Sequence, residues 1–421
     1  MGITIDPKGY IFLVDYNDGY IKKITPNGHV TKLTGGGAGY VNGYGLNARF
    51  DGIFALAIDS YGNLYCTEIN ANRVRKISTL TPSSSGSSLT VSATVQMYGS
   101  SNNQSAFALK YNSTGTSQWS VTIDGSSPDS AAAIATDPSL NVYVAGKYGS
   151  NAATIYANQT PSTISTLSAT SGNAAAFGLK VASNGTPLWA VRVDGLGTEE
   201  ALGCAVDTTG NLYIAGTYDN ISTLYSSNNT AFATTLPAPS NKSSFLAKYD
   251  TNGAAQWVTR VHGLTNSNIA TSLALDSSNN IYLAGTYGGS QTIFSSSGSA
   301  SVITLPATLN NGSNMAAFCI KYSSAGLPLN SMVLGGLSNA QNNAIVVDST
   351  GSNIYTAGFF TNSNTTLYDG NQMTSSIAFP AGISTQAAFV TNYNQQFSQF
   401  YLPSSLGNAA NGQQKYVTNI G

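Results

Sequence analysis

From about residue 100 onward the chain repeats itself with a period of about 70 residues. Whatever it folds into must therefore use one unit several times. One half of the unit reads AFALKYNSTGTSQWSVTIDG from Ala106. It returns as AFGLKVASNGTPLWAVRVDG, SFLAKYDTNGAAQWVTRVHG, AFCIKYSSAGLPLNSMVLGG and AFVTNYNQQFSQFYLPSSLG, anchored by Phe107, Phe177, Phe245, Phe318 and Phe389. The other half reads AIATDPSLNVYVAGKY, then CAVDTTGNLYIAGTY, LALDSSNNIYLAGTY and IVVDSTGSNIYTAGFF. Its anchors are Asp137/Tyr143, Asp207/Tyr213, Asp276/Tyr282 and Asp348/Tyr355.

Each half has the pattern of a hairpin, because apolar runs flank a short polar turn of the D-x-x-G-N kind. The Asp side chain bonds nearby backbone N–H groups, and Gly or Asn supplies positive φ. Helical periodicity is absent. Two hairpins give strands A and B (AIATD, VYVAG) and C and D (FGLKV, LWAVRV). A four-stranded unit of this size cannot bury a face alone, so units stack side by side. The expectation is an all-β fold, a β-propeller of four-stranded antiparallel blades. Copies begin near residues 1, 50, 87, 131, 200, 269 and 344, which makes seven blades.

The first 80 residues use a variant of the pattern. GYGLNARFDGIFALAIDSYGNLYCTEINANRVRKIS resembles an NHL repeat through its Gly-rich lead, its A-x-F, its core of Ala57, Asp59, Gly62, Asn63, Leu64 and Tyr65, and its strand from Asn72 to Ile77. An earlier copy starts at Gly2. From about residue 100 the A-F-x-x-K-Y…G…W…G and D-x-x-G-N-x-Y-x-A-G pattern resembles the SBBP-type propeller repeat. The expected division is two NHL-like blades over 1–80, a linker and third blade over 81–130, four SBBP-like blades with B–C insertions over 131–407, and a polar tail over 408–421. All of them are expected to form one ring. In the third copy LTVSATVQMYGS makes a poor A–B hairpin, and the Ser-rich stretch from Thr81 to Ser88 reads as a loop or as a linker.

The resemblance carries functional implications of its own. Some NHL-like propellers are lyases that hold a metal with several histidines. Others bind RNA or protein through basic surfaces. This chain has two histidines, His29 and His262, and neither has a Cys, His or carboxylate neighbour at metal-ligand spacing. Eight of its seventeen basic residues precede residue 81, among them Lys22, Lys23, Arg73, Arg75 and Lys76, but six acidic residues share that region.

Charged residues are 8% of the chain, against roughly 25% in an average soluble protein. Ser, Thr, Asn and Gly take their place. A net charge of -1 argues against nucleic acid as a partner, since neutralising phosphates requires an excess of Lys and Arg. No run approaches the ~20 apolar residues of a membrane-spanning helix. Cys66, Cys204 and Cys319 lie in strand-like runs and read as small buried hydrophobes. Met1 leads directly into strand-like sequence without a signal-peptide pattern. That fits a mature product, a fragment, or a protein that reaches its place without secretion, as a virion component does.

Trp119, Trp189 and Trp257 share one slot in strand D, filled by Asn330 in the next copy. Tyr65, Tyr143, Tyr213, Tyr282 and Tyr355 share a slot in strand B. Flat rings once per blade are expected to pack between neighbouring sheets, and Asn330 implies a slot that is only partly buried. In four copies an insertion of about 25–30 residues separates B from C, long enough to be structured or functional. Each carries an aromatic residue after T-[IL]: Tyr156, Tyr225, Phe294 and Tyr368. Three then reach an apolar-Pro step, at Leu236-Pro237, Leu305-Pro306 and Phe379-Pro380. B–C and D–A connections leave a propeller on one face, so these aromatics are the candidate ligand-binding residues of an insert-bearing face. The competing expectation folds each insert onto its own blade with the aromatic as a plug.

No catalytic or metal-binding constellation is evident, and no cofactor is expected. Glu199-Glu200, the acidic pair, reads as a solvated loop. The segment DYNDG from Asp15 lacks the closing Glu of a calcium loop. The sequence therefore points to a non-enzymatic propeller for surface recognition, adhesion or structural assembly, extracellular or on a virion, with a protein or carbohydrate partner. A propeller-type lyase or hydrolase and an intracellular protein- or RNA-binding scaffold are the alternatives.

Overall fold

The structure is a computed structural model that describes residues 2–6, 8–15, 19–26, 28–36, 39, 41, 45–50, 53–58, 64–68, 73–77, 104–112, 117–149, 151–158, 160–170, 173–263, 266–305, 314–336, 339–348, 351–361, 365–368, 376–378, 386–394 and 400–406. The hairpin expected within 87–103 and the tail 408–421 lie outside the described residues, as does Phe379-Pro380.

The first sheet is the meander β1 (Ile3–Ile5), β2 (Ile11–Asp15), β3 (Tyr20–Ile24) and β4 (Val30–Gly35). The second shows β5 (Ile53–Ile58), β6 (Leu64–Glu68) and β7 (Arg73–Ile77). β8 (Ala106–Tyr111) and β9 (Ser117–Gly125) are the C and D strands of the third. In the fourth copy β10 (Ser130–Thr136) and β11 (Val142–Tyr148) are A and B, the insert forms β12 (Ala152–Ala157) and β13 (Thr160–Ser168), and β14 (Ala175–Val181) and β15 (Pro187–Gly195) are C and D. The fifth copy repeats this with β16 (Glu200–Val206), β17 (Leu212–Tyr218), insert strands β18 (Ser222–Tyr225) and β19 (Ala231–Leu236), then β20 (Ser243–Tyr249) and β21 (Ala255–His262). The sixth has β22 (Asn268–Leu275), β23 (Ile281–Gly288), insert strands β24 (Gln291–Phe294) and β25 (Ala300–Leu305), then β26 (Met315–Tyr322) and β27 (Pro328–Gly336). The seventh has β28 (Ala340–Val347), β29 (Asn353–Thr361), insert strands β30 (Thr365–Tyr368) and β31 (Ser376–Ala378), then β32 (Gln386–Asn394) and β33 (Phe400–Leu406).

The pairing corrects the expectation of uniformly four-stranded blades. Three sheets are six-stranded, ordered β10-β11-β14-β15-β18-β19, β16-β17-β20-β21-β24-β25 and β22-β23-β26-β27-β30-β31. The last two strands of each come from the insert of the following copy. The third sheet, β13-β12-β9-β8, is extended in the same way by the insert of the fourth copy. The physical cause is the open edge of strand D, whose N–H and C=O groups have no partner within their own blade. A chain leaving strand B is separated from its own D edge by two strands, so the edge it completes is its neighbour's. This also corrects the expectation that each insert folds onto its own blade.

The sheets pack in sequence. β10 lies against β16, β16 against β22, and β22 against β28. Ile3, Ile11 and Leu13 of the first sheet share a core with Tyr355, Ala357 and Val390 of the seventh, and Phe12 and Val14 share one with Ile53 and Leu64 of the second. Five of the seven sheets carry the complete A–B–C–D set among the described residues. The architecture is an all-β propeller. Among the described residues, no helix is long and apolar enough to cross a membrane.

Strand alternation sets which residues meet between blades. Tyr143, Lys180 and Trp189 stand side by side across strands B, C and D. The Lys180 ammonium lies 5.1 Å from the Tyr143 ring and 5.8 Å from the Trp189 ring. Trp119 donates to the Ser183 carbonyl at 3.1 Å, so its indole seals the C–D turn of the next blade. That turn needs glycine: Gly185 has φ +91°, and a side chain there would run into Trp119. Trp119 and Trp189 are buried, whereas Trp257 and Asn330 are half-buried, in line with a slot that is only partly closed.

Candidate functional site

The four insert aromatics occupy one register position on four consecutive sheets. Tyr156 on β12 stands opposite Thr122 on β9, Tyr225 on β18 opposite Arg192 on β15, and Tyr368 on β30 opposite Val333 on β27. Phe294 follows Ile293, which pairs with Val261, and so lies against Arg260. All four rings are half-buried. Each lies on a strand paired with strand D of the preceding copy, so the four stand on four different sheets.

Two of the rings carry a cation. The guanidinium carbon of Arg192 is 3.7 Å from the Tyr225 ring centroid, and that of Arg260 is 3.7 Å from Phe294. Such stacking contributes about 0.5–1 kcal/mol at a partly wet site. Arg192 is also paired, with Nε 3.3 Å from Asp194 Oδ2 and a hydrogen bond to Asn229 Oδ1 in the turn between β18 and β19. Asp194 in turn accepts from the Thr170 hydroxyl at 2.6 Å.

The roots of the inserts are held by a polar slot at the start of strand A, which the periodicity did not single out. Asp129 accepts from the backbone N–H groups of Gly125 and Gly149 at 2.7 and 3.0 Å. Asn268 donates to Gln291, the first residue of β24, at 2.7 Å. In the fifth copy the slot holds Glu199, whose Oε1 accepts from the hydroxyl of Ser222, the first residue of β18, at 2.8 Å. Glu199 is fully buried rather than solvated. Its Oε2 has no hydrogen-bond partner among the described residues. Burial, opposed by the Ser222 bond and reinforced by Asp194 and Asp219, raises its pKa to about 8. Its neighbour Glu200 points to the other side and pairs with Lys147 at 3.1 Å. The signal for the slot was present as one polar residue at the same place in each copy.

The repeated Asp and Tyr anchors are structural. Asp207 accepts from the Asn211 backbone and side-chain nitrogens at 2.9 and 2.8 Å and from the Tyr213 hydroxyl at 3.2 Å. Burial works against its ionisation, but the bonds from Thr209, Asn211 and Tyr213 outweigh it and hold the carboxyl below its ordinary range. Burial and the Asp207 charge push the Tyr213 phenol the other way. The Tyr143 hydroxyl lies 3.1 Å from both Asp137 Oδ2 and the Gly210 carbonyl of the next blade. Cys66, Cys204 and Cys319 are buried, and burial lifts the Cys204 thiol to about 12. Asp15, which opens the calcium-like segment, is paired with Lys22 at 2.5 Å. Among the described residues, no group of three or more His, Cys, Asp or Glu side chains could hold a metal ion.

Comparison with known proteins adds the following. No family model matches the chain. An uncharacterised WD repeat-containing protein of Acanthamoeba polyphaga mimivirus is 29% identical over 217 residues, 47% of this chain and 15% of that protein. The chain thus matches only a small part of that relative's length. Among solved structures, a streptogramin B lyase is similar with a TM-score of 0.34 and 10% identity, covering 84% of this chain and 89% of the lyase. Virginiamycin B lyase from Staphylococcus aureus has a TM-score of 0.30 and 11% identity, covering 77% and 92%.

Proposed function

We propose that this chain is a non-enzymatic β-propeller that serves as a recognition, adhesion or structural-assembly module of an extracellular or virion surface, and that its insert-bearing rim engages a protein or carbohydrate partner. The observation that carries this reading is the repetition of the rim itself. Four consecutive copies each extend the neighbouring blade with a hairpin, and each hairpin holds a half-buried aromatic at the same register: Tyr156, Tyr225, Phe294 and Tyr368. Aromatic rings amid Ser, Thr and Asn provide large contact area with polar surroundings, as recognition surfaces do. The polar residues that the repeats share are engaged in holding blades and inserts together. The partial similarity to a mimivirus protein supports a viral setting.

The seven sheets form one closed ring in this reading, with two NHL-like blades at 1–80, the third within 81–130 and four SBBP-like blades over 131–407. The shared core of Ile3, Ile11 and Tyr355 supports closure between the first and seventh. The test is a screen of glycan and protein arrays with the whole chain, followed by the triple variant Tyr156→Ala, Tyr225→Ala and Tyr368→Ala. The variant is expected to lose binding by about tenfold or more. Unchanged binding with an unchanged circular dichroism spectrum would reject the rim as the contact surface.

A further inference from the structure

The fourth and fifth sheets carry the same arginine on strand D, and among the described residues only Arg192 has a counter-ion. Arg192 on β15 stacks on Tyr225, pairs with Asp194 two residues further on, and reaches Asn229 in the hairpin turn. Arg260 on β21 stacks on Phe294 in the same way. Two residues on, the place of Asp194 is taken by His262. In the turn between β24 and β25, the place of Asn229 (φ 66°) is taken by Gly298 (φ +80°). The two turns are otherwise alike, each closed by the same backbone bonds, Asn229 to Ser226 and Gly298 to Ser295. At these two positions the fifth sheet therefore offers the guanidinium neither the carboxylate nor the amide oxygen that Arg192 uses.

Arg260 Nε is buried and has no hydrogen-bond partner among the described residues, and the Tyr218 hydroxyl beside it is likewise buried and unbonded. In the fourth copy the equivalent Tyr148 hydroxyl donates to the Ser168 carbonyl at 2.7 Å. His262 is held through Nδ1 by the Ser243 hydroxyl at 3.0 Å. An unsatisfied buried donor costs about 1–3 kcal/mol, and a guanidinium fork matches a carboxylate geometrically.

We infer that Arg260, with Tyr218 and His262, forms a carboxylate-binding site on the rim of the fifth sheet, taking a ligand carboxylate where the fourth sheet supplies its own Asp194. The chemistry is assigned by that internal counterpart, since a carboxylate fills the same place one repeat away. A single guanidinium balances a single negative charge, so a monoanion fits. This site does not depend on which macromolecule the whole rim contacts.

His262 reports on the site. Burial, then the charge of Arg260, lowers its pKa. Among the described residues, the titratable groups facing Arg260 are Tyr218 on β17 and His262 on its own strand. A carboxylate on Arg260 offsets the positive charge and favours protonated imidazole. The chain has two histidines, so both are resolvable by NMR, and His29 serves as the internal reference.

The experiment follows the His262 titration of the whole chain in sodium acetate, sodium glucuronate and sodium chloride at equal ionic strength. Both carboxylates are expected to raise the His262 midpoint by about half a unit or more over chloride. Arg260→Gln removes the difference. Gly298→Asn, which restores the contact that Asn229 makes, weakens the carboxylate response by about fivefold, with the fold preserved because Asn already occupies that turn conformation one repeat earlier. Identical His262 titrations in acetate and chloride would overturn the assignment, as would a carboxylate response that survives Arg260→Gln.

Discussion

The indole N–H of Trp189, on the D strand of one blade, donates to the carbonyl of Thr251 in the C–D turn of the next at 2.9 Å. One residue thereby closes the seam between two sheets, both by area and by a hydrogen bond. Its ring also stands edge-on to Tyr143, with centroids 5.9 Å apart. Trp189→Phe keeps most of the area and loses the bond, so it is expected to destabilise by about 1 kcal/mol. Trp189→Ala opens the seam and is expected to cost about 3–5 kcal/mol. Urea denaturation of the three proteins checks the order.

Glu199 makes stability depend on pH. In the unfolded chain its carboxyl ionises near its ordinary value of 4.5, whereas in the folded chain it stays neutral until about pH 8. Between those limits the unfolded chain has released a proton that the folded chain retains. This residue's contribution therefore falls as pH rises from about 4.5 to about 8 and is constant above that. Glu199→Gln keeps a neutral polar group in the slot, much as Asn268 does one repeat later. The variant is expected to gain on the order of 3 kcal/mol over the native chain between pH 5 and pH 9. Chemical denaturation across that range provides the measurement.

Tyr213→Phe removes one donor from the Asp207 carboxylate and leaves the ring in place. The expected loss is about 1–2 kcal/mol. The Asp207 pKa should also rise, because one of the bonds holding it down is gone, and carboxyl NMR on the labelled chain reads that change.

Cys204 and Cys319 are buried, and burial alone raises the pKa of both thiols. Reaction with a thiol reagent at pH 8 is expected to be slow in the native chain and immediate in denaturant. The native rate should track global unfolding, since the thiolate is the reactive species.

Much of this fold was legible from the sequence. The Asp137–Tyr143 and Asp207–Tyr213 pairs announced hairpins, and their hydrogen bonds are those that an Asx-type turn requires. The Trp slot was readable as inter-blade packing, down to its looser end at Asn330. Strand exchange was not readable. Tyr225 is close in sequence to β17, yet its backbone pairs with β15, because pairing follows the open edge in space and periodicity carries no record of which edge that is. Glu199 was equally opaque: beside Glu200 it resembles a wet loop, and only the insert root at Ser222 closes over it. The rim aromatics were recognised as a set, but their distribution over four sheets followed from the exchange and not from their spacing.

The insert of one copy completes the preceding blade, and an engineered disulfide across the paired strands reports on that exchange. Val193 on β15 and Leu224 on β18 are directly paired, and paired residues on neighbouring strands are about 4.5–5.5 Å apart at Cα, within the span of a disulfide. With Cys66, Cys204 and Cys319 replaced by Ala, the double variant Val193→Cys/Leu224→Cys is expected to oxidise fully. A second double variant, Leu224→Cys/Val261→Cys, links the insert to strand D of its own copy and is expected to stay reduced. Intact mass after mild oxidation distinguishes them. Closure of the second pair with the first left open would contradict the exchange and return each insert to its own blade.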